Sequence, residues 1–111
     1  MKVHSIYRIL NLVNGKSYIG YTSKPPIKRW WDHKAQIQIN TKQRLYAAIR
    51  KYGIDNFRFD VLYQSLDEYH AHRVMEPHFI REYDTFGNNG YTHYYICARL
   101  KDGKDQNIFY V

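Results

Sequence analysis

The sequence is short of cysteine, of proline and of long apolar runs, and each shortage excludes something. A single cysteine, Cys97, cannot close an internal disulfide or build a cysteine-based zinc site. It reads as a small apolar residue in a reducing compartment. No stretch of eighteen apolar residues occurs, so no segment reads as a transmembrane helix. The opening Met1-Lys2-Val3-His4-Ser5 lacks the apolar core of a signal peptide. An intracellular, cytoplasmic protein with no membrane partner is therefore expected. Only 3 prolines and 6 glycines are spread over 111 residues. They form no linker, repeat or low-complexity tract, which favours one continuous domain. Acidic residues are outnumbered too: 10 Asp and Glu against 17 Lys and Arg give a net charge of +7. A small basic domain attracts polyanions, and nucleic acid is the commonest one.

What is abundant is aromatic side chain, at 17% of residues with 12 tyrosines. Tyrosine has an apolar body and a polar tip, which suits half-buried strands and polar grooves. The patterning supplies the elements. His4 to Leu12 mixes β-branched, aromatic and aliphatic residues and predicts a strand. Asn14-Gly15 predicts a hairpin turn, and Ser17 to Thr22 a returning strand. Ser23-Lys24-Pro25-Pro26 opens a helix, with Ser23 as cap and proline in the first turn. Ile27, Trp30, Trp31 and Lys34 recur at helical spacing, so the tryptophans are expected to pack inward. A second helix covers 43–52, with Leu45, Ala48, Ile49 and Tyr52 on its core face and Gly53 as its stop. Residues 56–63 predict a third strand, and Ser65-Leu66-Asp67-Glu68 a capping box starting a third helix. Ala71, Met75, Phe79 and Tyr83 are its expected buried stripe, and Pro77 should kink it at a cost of ~3 kcal/mol. Gly87-Asn88-Asn89-Gly90 reads as a loop. Residues 93–111 form a C-terminal extension, a hairpin turning at Asp102-Gly103 and packed on the same domain. The order strand-strand-helix-helix-strand-helix, begun by an antiparallel hairpin, argues for an α+β fold.

Few residues carry recognisable chemistry, and each has an ordinary structural reading when taken singly. If Asn14 and Gly15 are the two turn residues, Tyr18 stands opposite Asn11, Tyr7 opposite Thr22 and Gly20 opposite Ile9. Tyr7 and Tyr18 then share a face but lie about 13 Å apart along the strand. Arg29 and His33 are four apart and share a helix face, offset from Trp30 in a way that suits a groove edge. Glu76 adjoins the apolar stripe of the third helix. His70, His72, His78 and His93 match no zinc spacing and are expected to face solvent, although His72 shares a helix face with Glu76.

Together and in this order, these residues resemble a known family. Ser5-Ile6-Tyr7, ten residues, then Tyr18-Ile19-Gly20 is similar to the motif of the GIY-YIG nucleases. Arg29 and His33, Glu76 followed by Phe79-Ile80, and Asn89-Gly90-Tyr91-Thr92 match the family's later markers. The Lys51-Tyr52-Gly53 end of the second helix resembles its phage homing endonucleases. The likeness spans residues 5–92 and places the nuclease domain at 1–92. Three departures stand out. Ser5 replaces the first glycine of the motif. Thr92 stands where an asparagine is usual and offers a hydroxyl but no amide. Pro77 directly follows Glu76.

The resemblance implies a three-stranded antiparallel sheet flanked by helices and a divalent-metal-dependent DNA endonuclease, hydrolysing phosphodiester bonds by nicking or double-strand cleavage. Glu76 would bind one Mg²⁺ or Mn²⁺ ion, which acts as Lewis acid on the phosphate and leaving oxygen. Tyr7 would orient or deprotonate the attacking water, and Tyr18 would position water or phosphate. Arg29 would neutralise charge on the phosphate, and His33 would relay a proton or hold a tyrosine hydroxyl. Asn89 and Thr92 would support the site. Lys28, Lys42, Arg44, Arg50 and Lys51 would contact the DNA backbone, the alternative being an ordinary charged surface. Weak sequence specificity, a homodimer or a separate targeting protein is expected, in a phage or mobile-element setting. The competing reading is a catalytically impaired nucleic-acid-binding module on the same scaffold, for which Thr92 and Pro77 speak.

Overall fold

The computed structural model describes residues 2–92, and the backbone alone of Tyr94–Ile96 and Ile108–Tyr110. Three strands, β1 (His4–Asn11), β2 (Ser17–Thr22) and β3 (Phe57–Ser65), form an antiparallel sheet in the order β2-β1-β3. Between β2 and β3 come α1 (Pro26–Gln36) and α2 (Arg44–Tyr52). After β3 a helical stretch runs to Tyr83, in π form over His70–Met75 and in α form over Glu76–Tyr83 (α3). This is the expected α+β order. Tyr94–Ile96 and Ile108–Tyr110 pair antiparallel as β4 and β5; the expected turn at Asp102-Gly103, along with His93 and Cys97, lies outside the described residues.

The sheet is covered on both faces. Tyr7, Ile9, Tyr18 and Phe57 pack on Leu45, Tyr46, Ala48 and Ile49 of α2, with Trp30 of α1 at the margin. Ile6 and Ile19, on the other face, pack on Ile80, with Met75 and Phe79 beside it. Alternation along β1 thus feeds two cores from one strand.

The hairpin keeps the expected faces but is paired two positions differently. Tyr7 stands opposite Gly20, not Thr22, and Tyr18 opposite Ile9, not Asn11. The cause is the turn. Asn11 is fully buried; its Oδ1 accepts from Val13 N at 2.9 Å and its Nδ2 donates to the Tyr91 hydroxyl at 3.1 Å. That side chain organises a four-residue loop in which Gly15 takes a φ of +78°. Shortening the arms brings the Tyr7 and Tyr18 rings to 6.2 Å between centroids.

Three helical expectations need correction. The cap of α1 is Pro25, with no side-chain cap bond and Pro26 at the first position, not Ser23. The inward face of α1 is that of Arg29 and His33: His33 is buried, whereas Ile27 and Trp31 are exposed and Trp30 only half-buried. The third helix is capped by Asp67, whose Oδ1 accepts from His70 N at 3.1 Å, while Ser65 remains in β3.

The expected stripe Ala71-Met75-Phe79-Tyr83 is also displaced. Glu76 N–H donates to Ala71 O, five residues back, so one extra residue enters the turn. Buried positions then run Ala71, Glu76, Pro77, Ile80, and Tyr83 is exposed. Pro77 sits in the first turn of α3, where no N–H is needed.

The outer edge of β2 is closed by the segment after α3. Tyr91 N donates to Ser17 O at 2.9 Å, and Ile19 N donates to Thr92 Oγ1 at 3.1 Å. Thr92 is buried and its hydroxyl also meets that of Thr85 at 2.8 Å. A hydroxyl therefore suffices here: Thr92 holds the strand that carries Tyr18. Replacing Thr92 by valine keeps the shape and leaves the Ile19 N–H unsatisfied. Thr92→Val should cost about 1–3 kcal/mol, read as a shift in the denaturation midpoint at unchanged slope.

Candidate active site

Gly20 determines where the site can form. A Cβ built on it would lie 2.4 Å from both Cζ and the hydroxyl oxygen of Tyr7, and 2.9 Å from Cε2 of Tyr18. The Tyr7 ring therefore lies across the glycine, and the strand opposite must be bare there. A β-bulge at the same level, where β1–β3 pairing slips between Ile6 and Tyr7, bends the strand beside the ring. Phe59 of β3 stacks on Tyr7 at 4.9 Å between centroids and fixes its plane.

Four of the five residues singled out from the sequence meet around the Tyr7 hydroxyl. His33 Nε2 is 2.6 Å from it, and Arg29 Nε donates to it at 3.2 Å. Tyr18 packs edge-on against His33 at 5.5 Å between centroids. The i, i+4 spacing of Arg29 and His33 is what aims both at one oxygen. A residue that the sequence reading passed over completes the group: Tyr46 of α2, whose hydroxyl is 2.7 Å from His33 Nδ1. Its signal was its three-residue spacing from Ile49, outside the Leu45-Ala48-Ile49-Tyr52 stripe. His33 is only 1% exposed, a core residue and not a groove-edge one.

Glu76 comes from the helix on the other face of the sheet. It is 3% exposed, and its Oε1 lies 3.4 Å from His72 Nε2. Its charge reaches the cluster and raises the proton affinity of both Tyr7 and Tyr18. His72 is half-buried, stacked on Tyr21 at 4.3 Å between centroids, and so does not face solvent as expected. His70 is also half-buried, bonded to Tyr63 at 2.7 Å, while His78 is exposed.

Burial governs the protonation states. Desolvation, then the neighbouring Tyr18, pushes Tyr7 well above the ordinary phenol range despite Arg29. Desolvation and then Glu76 push Tyr18 up to about 12. Desolvation and then Arg29 push His33 down to about 3. At neutral pH the cluster thus holds two neutral phenols, a neutral imidazole, the Arg29 cation and the approaching field of Glu76.

The basic residues are placed unequally. Lys28, Lys42 and Lys51 are exposed. Arg44 is half-buried, with Nη2 lacking a hydrogen-bond partner among the described residues. Arg50 donates to the Asn40 carbonyl at 3.0 Å and to that of Ile37, closing the end of α1. Asn89 is exposed and donates to Asp84 Oδ2 at 2.9 Å, away from the cluster. An open groove of about 430 Å³ between α1 and α2 is lined in part by Arg29, Gln36, Asn40, Gln43 and Tyr46.

The GIY-YIG catalytic-domain profile matches residues 3–92. The chain belongs to the GIY-YIG family. Among solved structures, this GIY-YIG chain is similar to the catalytic domain of homing endonuclease I-TevI, at 25% identity with a TM-score of 0.69, covering 80% of this chain and 96% of that one. A glutamate-to-alanine mutant of the catalytic domain of intron endonuclease I-TevI matches at 28% identity and TM-score 0.69, covering 82% and 92%. No curated protein matches the GIY-YIG chain in sequence. Family and fold together make the domain a nuclease.

The close approach at Gly20 and the burial of His33 each set an expected outcome. Gly20→Ala forces a methyl into the Tyr7 ring, so it should destabilise the domain by about 1–3 kcal/mol and displace the Tyr7 hydroxyl, read by denaturation and by loss of the Tyr7–His33 contact in a structure. His33 gives a pH dependence. The unfolded imidazole takes a proton near pH 6.5, but the folded one only near pH 3. Between these values the unfolded state binds more protons. Stability conferred by the neutral His33 is therefore complete above about pH 6.5 and declines on acidification, by up to ~1.4 kcal/mol per pH unit. Urea denaturation from pH 7 to pH 4 should show this slope, flattened in His33→Gln.

Proposed function

We propose that the protein is a divalent-metal-dependent DNA endonuclease of the homing-endonuclease type, hydrolysing phosphodiester bonds at the cluster around Tyr7. The observation that carries this reading is the convergence of Tyr7, Tyr18, Arg29 and His33 within hydrogen-bonding or ring contact, with the Glu76 charge acting on both phenols. A phosphodiester needs charge neutralisation, an oriented water and a route for that water's proton. Arg29 supplies a planar cation suited to two phosphate oxygens. Tyr7 orients the water and takes up its proton, Tyr18 positions water or phosphate from the other strand, and His33 holds the Tyr7 hydroxyl.

The donor chemistry fits one hard cation. Among the described residues no group of three or more His, Cys, Asp or Glu could hold a metal. Among those residues a single carboxylate is buried, Glu76, with His72 beside it. One carboxylate plus solvent and substrate oxygens suits Mg²⁺ or Mn²⁺. Such an ion, when bound by Glu76, supplies Lewis-acid stabilisation of the phosphate and of the leaving oxygen. Lys28, Lys42, Arg44 and Lys51 are proposed phosphate contacts, and Arg50 acts first as a lock on α1. Thr92 and Pro77, the two departures that favoured an impaired module, are both accommodated: Thr92 bonds β2, and Pro77 begins α3 after the π turn. We therefore favour an active enzyme, working inside the cell on DNA, as a homodimer or with a targeting partner.

A plasmid-relaxation assay with Mg²⁺, Mn²⁺ or EDTA tests the reading. Cleavage is expected with either ion and not with EDTA. Glu76→Ala should reduce it by about 10²–10³-fold or more while the far-ultraviolet spectrum is kept. Equal cleavage by the folded variant would reject the assignment of Glu76, and cleavage undiminished by EDTA would reject metal dependence.

A further inference from the structure

We propose that Tyr46 is the exit of a proton wire that starts at the Tyr7 hydroxyl, passes through both nitrogens of His33 and opens on the groove between α1 and α2. The inference deepens the hydrolytic reading above and rests on it.

The direction follows from counting hydrogens. The Tyr7 oxygen already accepts from Arg29 Nε, a group that only donates. Tyr7 is 0% exposed, so its own hydrogen must find a protein acceptor. Handing it to His33 Nε2, 2.6 Å away, makes Nδ1 the protonated nitrogen of the neutral ring. Nδ1–H then donates to the Tyr46 oxygen at 2.7 Å. Tyr46 lines the groove and can give its hydrogen to water there. The opposite tautomer would fill both lone pairs of the Tyr7 oxygen with N–H donors, leaving none to take up a proton, and would turn the Tyr7 hydrogen toward Tyr18.

The same residues show why an exit is needed. Tyr7 is a costly place to leave a phenolate, because its burial and the Tyr18 and Glu76 groups from β2 and α3 outweigh Arg29. His33 is a poor final home for a proton: its burial and Arg29 disfavour the imidazolium, and Asp32 on its own helix offsets little of this. Tyr46 is likewise kept a phenol by burial. None of the three can end the transfer, but all three can pass it on. When a phosphate draws the half-buried Arg29 off the Tyr7 oxygen and a water takes its place, the proton of that water moves to the Tyr7 oxygen as the water oxygen bonds to phosphorus. The Tyr7 O–H proton moves to His33 Nε2, the Nδ1 proton to the Tyr46 oxygen, and the Tyr46 O–H proton to groove water. The phosphorus–oxygen bond to the leaving sugar oxygen breaks, and that oxygen takes a proton from solvent. Tyr7, His33 and Tyr46 finish neutral, with the imidazole proton now on Nε2; ring and hydroxyl reset through the same groove water.

Tyr46 touches neither substrate nor reacting atoms in this scheme and is a positioning residue. The wire is tested on the free protein by long-range ¹⁵N–¹H correlation of the His33 ring. A neutral Nδ1–H tautomer is expected in the wild type, and an Nε2–H tautomer would overturn the proposal. Tyr46→Phe keeps the ring and removes the hydroxyl. It should lower kcat about 10-fold or more, leave KM within about twofold and mix the His33 tautomers. A folded Tyr46→Phe enzyme with wild-type kcat would also overturn it. Should that variant fail to fold, the wild-type tautomer decides alone. A wild-type protein that shows the Nδ1–H tautomer but cleaves no DNA under any metal would sink the nuclease reading and leave the direction of the hydrogen bonds standing.

Discussion

The structure depends on one oxygen, the buried Tyr7 hydroxyl, held between a permanent cation and a neutral imidazole. A phenol at 0% exposure is tolerable only if its polar atom is satisfied, and Arg29 and His33 satisfy it from one helix face. That requirement reaches far along the chain. It fixes the rotation of α1, which turns Trp31 and Ile27 outward although they are among its most apolar side chains. It fixes residue 20 as glycine, since any side chain there would occupy the ring's place. It also sets Tyr46 of α2 against the second imidazole nitrogen, so one histidine is hydrogen-bonded both to the hairpin and to α2.

The π turn does the corresponding service for the carboxylate. In an unbroken α-helix the stripe from Ala71 would continue through Met75 and Phe79, and Glu76 would lie at its border. The extra residue over His70–Met75 rotates α3 about its axis, so that Glu76 and Pro77 become buried together. Pro77 is part of the same device. With no N–H to donate, it cannot continue the preceding helix, but it can begin a new one, and the residue before it is the one brought inward. π turns recur at functional positions because their irregularity re-aims a side chain at a cost the rest of the helix must offset.

Much of this was legible in the chain, and the losses have physical causes. The strand and helix order followed from periodicity, and Gly53 ended α2 as its type suggests. The ordered set Tyr7, Tyr18, Arg29, His33 and Glu76 could be picked out, and the structure brings the first four together. The hairpin register could not be read, because the loop is set by a buried asparagine bonded to Tyr91, some eighty residues away. The inward face of α1 was misjudged because apolar spacing assumes that burial follows hydrophobicity, and here a satisfied hydrogen-bond network outweighs two exposed aromatic and aliphatic side chains. The π turn leaves no trace in composition. Tyr46 escaped because a helical tyrosine beside an apolar stripe reads only as core, and the second role of its hydroxyl shows in its 2.7 Å approach to His33 Nδ1.

The charges of the cluster explain why the parts come from three separate elements. The hairpin supplies hydroxyls that burial keeps neutral, α1 supplies the one permanent cation, and α3 supplies the carboxylate. Placed on one element, Arg29 and Glu76 would pair and cancel each other. Held on α1 and α3, both fields reach the Tyr7 oxygen, and they oppose each other there: Arg29 lowers its proton affinity and Glu76 raises it. An incoming phosphodiester would meet the same opposition, attracted by Arg29 and repelled by a bare Glu76. A divalent cation held by Glu76 would reverse the repulsive half. Such an arrangement would disfavour substrate without a cation and favour the two together, which is the electrostatic content of proposing a metal-dependent hydrolase for a site with one buried carboxylate among the described residues.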